Sequence, residues 1–157
     1  MANKYNTVLL YFRYGVYDSP IPASFFRSAP SIAADKHPPF PPQQIQLEEC
    51  ITIVLTSEIG FGSTGMVHRG NLTTCQPDGA TSLDIAVKLA LDIEQRDALR
   101  NEYKIYRYLR SKGVLRGIAT ALGLFDDSED SACALVTTYA GIPVSTELQG
   151  DLSVSDW

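Results

Sequence analysis

The sequence predicts an α+β protein: a five-stranded antiparallel sheet with one main helix, preceded by a proline-rich extended segment. Three observations carry that expectation. From Cys50 onward, five short runs rich in β-branched and aromatic residues are separated by turn residues. One long stretch, Glu94 to Gly113, has apolar residues at helical spacing. Seven of the nine prolines fall between Pro20 and Pro42, around HPPFPPQQ, where no period offers a face to bury.

The elements follow in order. Residues 1–17 hold a candidate short strand, VLLYFRY, of no assigned role. Residues 18–47 read as a proline-rich linker, expected to be disordered and able to act as a tether or a partner-binding segment. In residues 48–148, CITIVLTSEI and MVHRGNLTT are the first two β runs. Pro77 to Gly79 supplies turn residues, and CQPDGATS is assigned to a loop insertion before the third run, LDIAVKLAL. The helical stretch ends at Gly113, a residue suited to a helix C-terminus. TALGLF and ACALVTTY complete the set on either side of the acidic turn DDSED, and residues 149–157 form a C-terminal tail.

Composition narrows the function. The net charge of −5 argues against a surface built to neutralise nucleic-acid phosphates. Cys50, Cys75 and Cys133 form no CxxC pair, so neither a zinc site nor a disulfide framework is expected. The run Val8 to Phe12 is too short to span a membrane and is not followed by a small-residue cleavage site. An intracellular, cytoplasmic protein without nucleic-acid or membrane partners is the expectation.

The chemistry begins at Ile59 with IGFGSTGMV, in which Gly60, Gly62 and Gly65 form G-x-G-x-x-G. Glycine clusters of this kind let a backbone approach phosphate closely. In a dinucleotide-binding fold a helix follows at once. Here Met66, Val67, His68, Arg69 and Gly70 lead into a β-rich run, so the loop joins two strands. His68 and Arg69 are read as lying on a surface strand. Period-2 alternation puts Ala86 and Lys88 on one face of the third run and Ile85 and Val87 on the other. In the helix, Ala98, Glu102, Ile105, Tyr106 and Leu109 form an apolar stripe expected to face the core. Glu102 lies inside it and needs a partner.

These motifs resemble the small lobe of eukaryotic-type protein kinases. G-x-G-x-x-G-x-V ending at Val67 and Ile85-Ala86-Val87-Lys88 are similar to the family's glycine-rich loop and V-A-I-K. NEYKIYRYL resembles the E-x-x-I-Y-x-x-L of the fungal-type kinase-like group. The resemblance implies an ion pair between Lys88 and Glu102, with Lys88 reaching ATP phosphates. It implies ATP contacts from Ile59, Gly60, Gly62, Ser63, Thr64, Gly65, Val67 and Ala86. LVTTYAG resembles the passage into the adenine-binding hinge, which places Thr137 at the back of the pocket and Thr138, Tyr139 and Ala140 in the hinge.

The family's H-R-D and D-F-G motifs do not occur in residues 1–157. Weak ATP binding is expected, Mg only where a large lobe supplies its ligands, and no catalytic residue or phosphotransfer in this chain alone. Asp126, Asp127 and Asp130 are read as a solvated turn rather than metal ligands. The resemblance thus implies the nucleotide-binding part of a kinase truncated before its large lobe, whose full form would modify Ser or Thr. The alternative is a non-catalytic, pseudokinase-type interaction module, with a partner protein covering the surface that a large lobe would occupy.

Overall fold

The computed structural model describes residues 6–15, 19, 21–28, 50–76, 79–127 and 131–141. It contains β1 (Thr7–Phe12), β2 (Ala23–Arg27), β3 (Cys50–Gly62), β4 (Gly65–Gln76), β5 (Gly79–Ala90), α1 (Ile93–Ser111), β6 (Ala121–Asp127) and β7 (Cys133–Thr138). The seven strands form a closed barrel in the order β1-β2-β6-β7-β5-β4-β3. This overturns the expected five-stranded sheet. The five expected strands are present and neighbour one another as β3-β4-β5-β7-β6, but β1 and β2 join the two edges. A purely antiparallel sheet is overturned as well, because β1 runs parallel to β3, from Thr7 opposite Cys50 to Phe12 opposite Leu55.

Closure follows from edge chemistry. An open sheet of this size leaves two rows of unpaired backbone groups and one bare apolar face. β1 and β2 satisfy both needs. β2 pairs with β1 and with β6, and its Phe25 is buried at 3% exposure. The strand lies within the stretch assigned to the linker, in a proline-free interval between Pro22 and Pro30. The rest of that stretch from residue 29 to 47, and the tail, lie outside the described residues.

The barrel interior is filled by Val8, Leu10, Ile51, Ile53, Leu55, Ile85, Val87, Phe125 and Val136. Small barrels pack side chains in this way rather than enclosing a channel. Alternation along β3 and β5 sends every second residue inward, which explains the β-branched runs in the sequence. β7 is buried on both faces, because α1 covers its outer side. Leu99, fully buried, packs with Ala90, Leu124, Cys133 and Leu135, a contribution of roughly 2 kcal/mol from apolar burial.

α1 begins at Asp92, whose carboxylate accepts from the Gln95 amide at 2.8 Å. It ends where Gly113 adopts φ +76, as its C-terminal position led us to expect. The inward stripe differs from the expected one. Leu99, Tyr103 and Tyr106 meet the barrel, whereas Ile105 is 59% exposed. The expected loop insertion also becomes strand: β4 runs to Gln76 and β5 starts at Gly79, which pair across the turn.

Candidate functional site

β3 and β4 form a long hairpin closed at Ser63 and Thr64, with Gly62 opposite Gly65. The three glycines of the motif do different things. Gly65 has φ +121, and a Cβ there would lie 2.0 Å from the Leu89 carbonyl oxygen on β5. Its missing side chain is required by the neighbouring strand. At Gly60 and Gly62 a Cβ would meet no atom within 4 Å, so packing does not demand glycine there. Phe61, between them, is 73% exposed. Register shifts between Leu55 and Ser57 and between Glu58 and Gly60 mark irregularities in the hairpin just before this loop.

Cross-strand pairing assembles the next residues on the outer face of the barrel. Lys88 lies opposite Val67 on β4 and Leu135 on β7, and Ala86 lies opposite Arg69 and Thr137. Residues opposite one another share a face. Val67, Ala86, Lys88 and Thr137 are therefore neighbours, and the Thr137 hydroxyl donates to the Ala86 carbonyl at 3.5 Å. Over this face, Lys88 Nζ contacts Glu102 Oε1 at 3.0 Å and Oε2 at 2.8 Å. Both side chains are about a quarter exposed, at 23% and 26%. The expected pair is present, joining β5 to α1.

The hinge residues are more constrained. The Thr138 amide donates to Thr120 O at 2.9 Å and the Tyr139 amide to Asp84 O at 3.2 Å. Both donors are engaged within the chain. A base edge at this position would be met by carbonyls, or by the amides beyond Tyr139. Ala140 is exposed, Ile59 and Thr64 are half-buried and Ser63 is exposed at the hairpin turn.

Three side-chain groups were not anticipated from sequence. Arg69 forms a two-point ion pair with Asp84, at 3.1 and 2.7 Å, and lies 4.3 Å from the Tyr139 ring centroid. Hydrogen bonding to Asp84 raises the Arg69 pKa, and the same bond holds the Asp84 carboxyl below its ordinary range. Period 2 carries the signal for this group, since Val67 and Arg69 alternate outward, as do Asp84, Ala86 and Lys88.

Asp126 is 7% exposed rather than part of a solvated turn. It accepts from Arg100 Nη2 at 2.8 Å and from the Ser28 hydroxyl at 2.5 Å. Burial, followed by the nearby Asp126 charge, raises the pKa of the adjacent Cys133 thiol, which makes it a poor nucleophile. Asp127 is half-buried on β6, and Asp130 lies outside the described residues. Among the described residues no group of three His, Cys, Asp or Glu is placed to hold a metal ion.

The third group corrects the surface setting given to His68, which is 2% exposed inside the barrel. The Tyr14 hydroxyl is hydrogen-bonded to His68 Nδ1, and the Phe12 ring meets the imidazole edge-on at 5.7 Å. Burial lowers the His68 pKa, opposed by the charge of Glu58. With the folded pKa below the unfolded value near 6.5, this group's stability is fully present above about pH 6.5 and is lost as pH falls. The melting temperature is expected to fall as pH is lowered below about 6.5, and to fall less steeply in His68→Gln. Equal slopes in the two proteins would rule His68 out as the source.

No protein-family model matches the chain, and no curated protein matches it. Among the described residues no helix is long and apolar enough to cross a membrane.

Proposed function

We propose that the chain is the ATP-binding small lobe of a protein-kinase-like protein whose full form transfers the ATP γ-phosphate to Ser or Thr. The observation that carries this is the Lys88–Glu102 contact at 2.8 Å, on the face that Lys88 shares with Val67, Ala86 and Thr137. A lysine held by a carboxylate keeps its ammonium in one place, where it acts as a fixed point charge toward phosphate oxygens. Gly60 and Gly62 leave open space beside the hairpin backbone, where a phosphate can approach closely. The closed barrel differs from the open sheet that the resemblance implies, so the reading stands on these side chains rather than on fold.

Magnesium is not assigned to any step of this chain, since in this reading a large lobe supplies its ligands. Nucleotide binding is the function proposed for this chain, in an intracellular, cytoplasmic setting. Its alternative, a non-catalytic interaction module, is favoured by exposed Ile105, Tyr108 and Leu115.

ATP titrated into the isotope-labelled chain is expected to move the amide resonances of Gly60 to Gly65 and Ala140. The dissociation constant should be about millimolar, near −4 kcal/mol. Lys88→Met should abolish the shifts. Identical titrations of the two proteins, or shifts confined to other strands, would sink the proposal.

A further inference from the structure

The charge of this protein is unevenly distributed. Lys104, Arg107, Arg110, Lys112 and Arg116 lie within Tyr103 to Arg116, a segment that contains no Asp or Glu. The remainder has eight Lys and Arg against 18 Asp and Glu, a net of −10. All five basic residues are exposed. Elsewhere Arg69, Lys88 and Arg100 each hold a carboxylate, but none of these five does so among the described residues. Among the described residues Lys104 reaches Asn101, and Lys112 lies 5.5 Å from the centre of the Tyr108 ring.

Apolar side chains interleave with these charges. Ile105 is 59% exposed, Tyr108 61% and Leu115 65%. Lys104, Arg107 and Tyr108, at i, i+3 and i+4, share one side of α1, and Ile105, Tyr108 and Lys112 run beside it. The helix dipole favours cations in the last turn, which accounts for Arg110 and Lys112. It accounts for neither Lys104 and Arg107 nor the exposed Ile105 and Tyr108.

We propose that the C-terminal half of α1 and the residues up to Arg116 form a docking surface for a short acidic segment of another protein, one with apolar side chains between its carboxylates. Charge complementarity supplies encounter and register, and Ile105, Tyr108 and Leu115 supply the apolar contact. The rest of the chain, at −10, repels an extended polyanion such as a membrane surface or a nucleic-acid strand, whereas a short segment is confined to the basic end. Tyr108 is also a single exposed ring, too little for the stacking platform that binds single strands. This surface is independent of the nucleotide proposal, since it uses neither Lys88 nor Glu102.

The test is fluorescence polarisation of a labelled synthetic peptide of Glu, Leu and Phe, titrated with the whole chain. Comparators are the same peptide with Gln for Glu, an oligothymidylate and phosphatidylserine vesicles. Saturable binding of the acidic peptide is expected. It should weaken about tenfold or more in Lys104→Glu with Arg107→Glu, in Ile105→Ser with Tyr108→Ser, and with the Gln peptide, and should fall as salt rises. Lys104→Gln with Arg107→Gln provides a milder variant, and circular dichroism verifies folding in each. The proposal is overturned by absence of saturable binding, by equal binding to the variants, or by tighter binding of oligothymidylate or vesicles through the same residues. Self-association through this patch that excludes the peptide would overturn it too.

Discussion

Replacing Asp126 with alanine is expected to lower the stability of the chain by about 3 kcal/mol, because breaking a buried ion pair leaves its partner charged and out of water. Asp126 links three elements: its own strand, Arg100 on α1 and Ser28 just after β2. The Arg100 side chain is 16% exposed and depends on this carboxylate at 2.8 Å. The Arg69–Asp84 pair, with side chains 45% and 43% exposed, is the comparison. Its loss should change stability by less than about 1 kcal/mol, since water screens it. Urea denaturation of Asp126→Ala, Asp84→Ala and the double variant Arg100→Leu/Asp126→Leu would measure the difference. Removing both buried charges should recover much of what the single change loses. Equal, small effects of Asp126→Ala and Asp84→Ala would show that the buried pair is not what holds α1 to the barrel.

The second large effect is expected at Gly65, and it separates the glycines that the sequence motif groups together. Alanine at Gly65 must adopt φ +121 and place its Cβ 2.0 Å from the Leu89 oxygen. Backbone strain and overlap each contribute about 1–3 kcal/mol, so a loss of about 3 kcal/mol or more is expected. Gly60→Ala and Gly62→Ala meet no atom within 4 Å and should shift stability by less than about 1 kcal/mol. Their effect should instead appear as weaker ATP binding. Thermal melts and ATP titrations on all three variants distinguish the roles. A Gly65→Ala protein as stable as its parent would show that the hairpin can lift from β5.

Much of the outer face was legible in the sequence because it depends on local periodicity. Alternation puts Ala86 beside Lys88, and the spacing of fourteen residues brings Glu102 within reach of Lys88 once the helix folds back on β5. His68, expected on a surface strand, instead turns inward between the outward-facing Val67 and Arg69. Its hydrogen-bond partner, Tyr14, lies 54 residues away, so no neighbouring residue marks the pair. Closure of the barrel was hidden for a similar reason. The motif ASFFR is short, flanked by prolines, and pairs with β6 at the far end of the chain. DDSED reads as a turn because nothing local reveals that Arg100 and Ser28 surround its first residue. Ile105 follows the apolar stripe in sequence, but the barrel meets α1 through Leu99, Tyr103 and Tyr106.

The pairing of β2 with β6 also has a consequence in time. Phe25 lies opposite Asp127, 102 positions later. Ribosomes add about 5–20 residues per second, so the partner strand is made roughly 5–20 s after β2. During that interval β2 can pair with β1, but its other edge has no native neighbour, while the hairpins from Cys50 to Ala90 receive all their residues before β6 is made. Contacts so far apart in sequence form slowly even in a finished chain. The ring is therefore completed when one of its oldest strands meets one of its youngest, and Phe25 gains its β6 neighbour only once Asp127 has been synthesised.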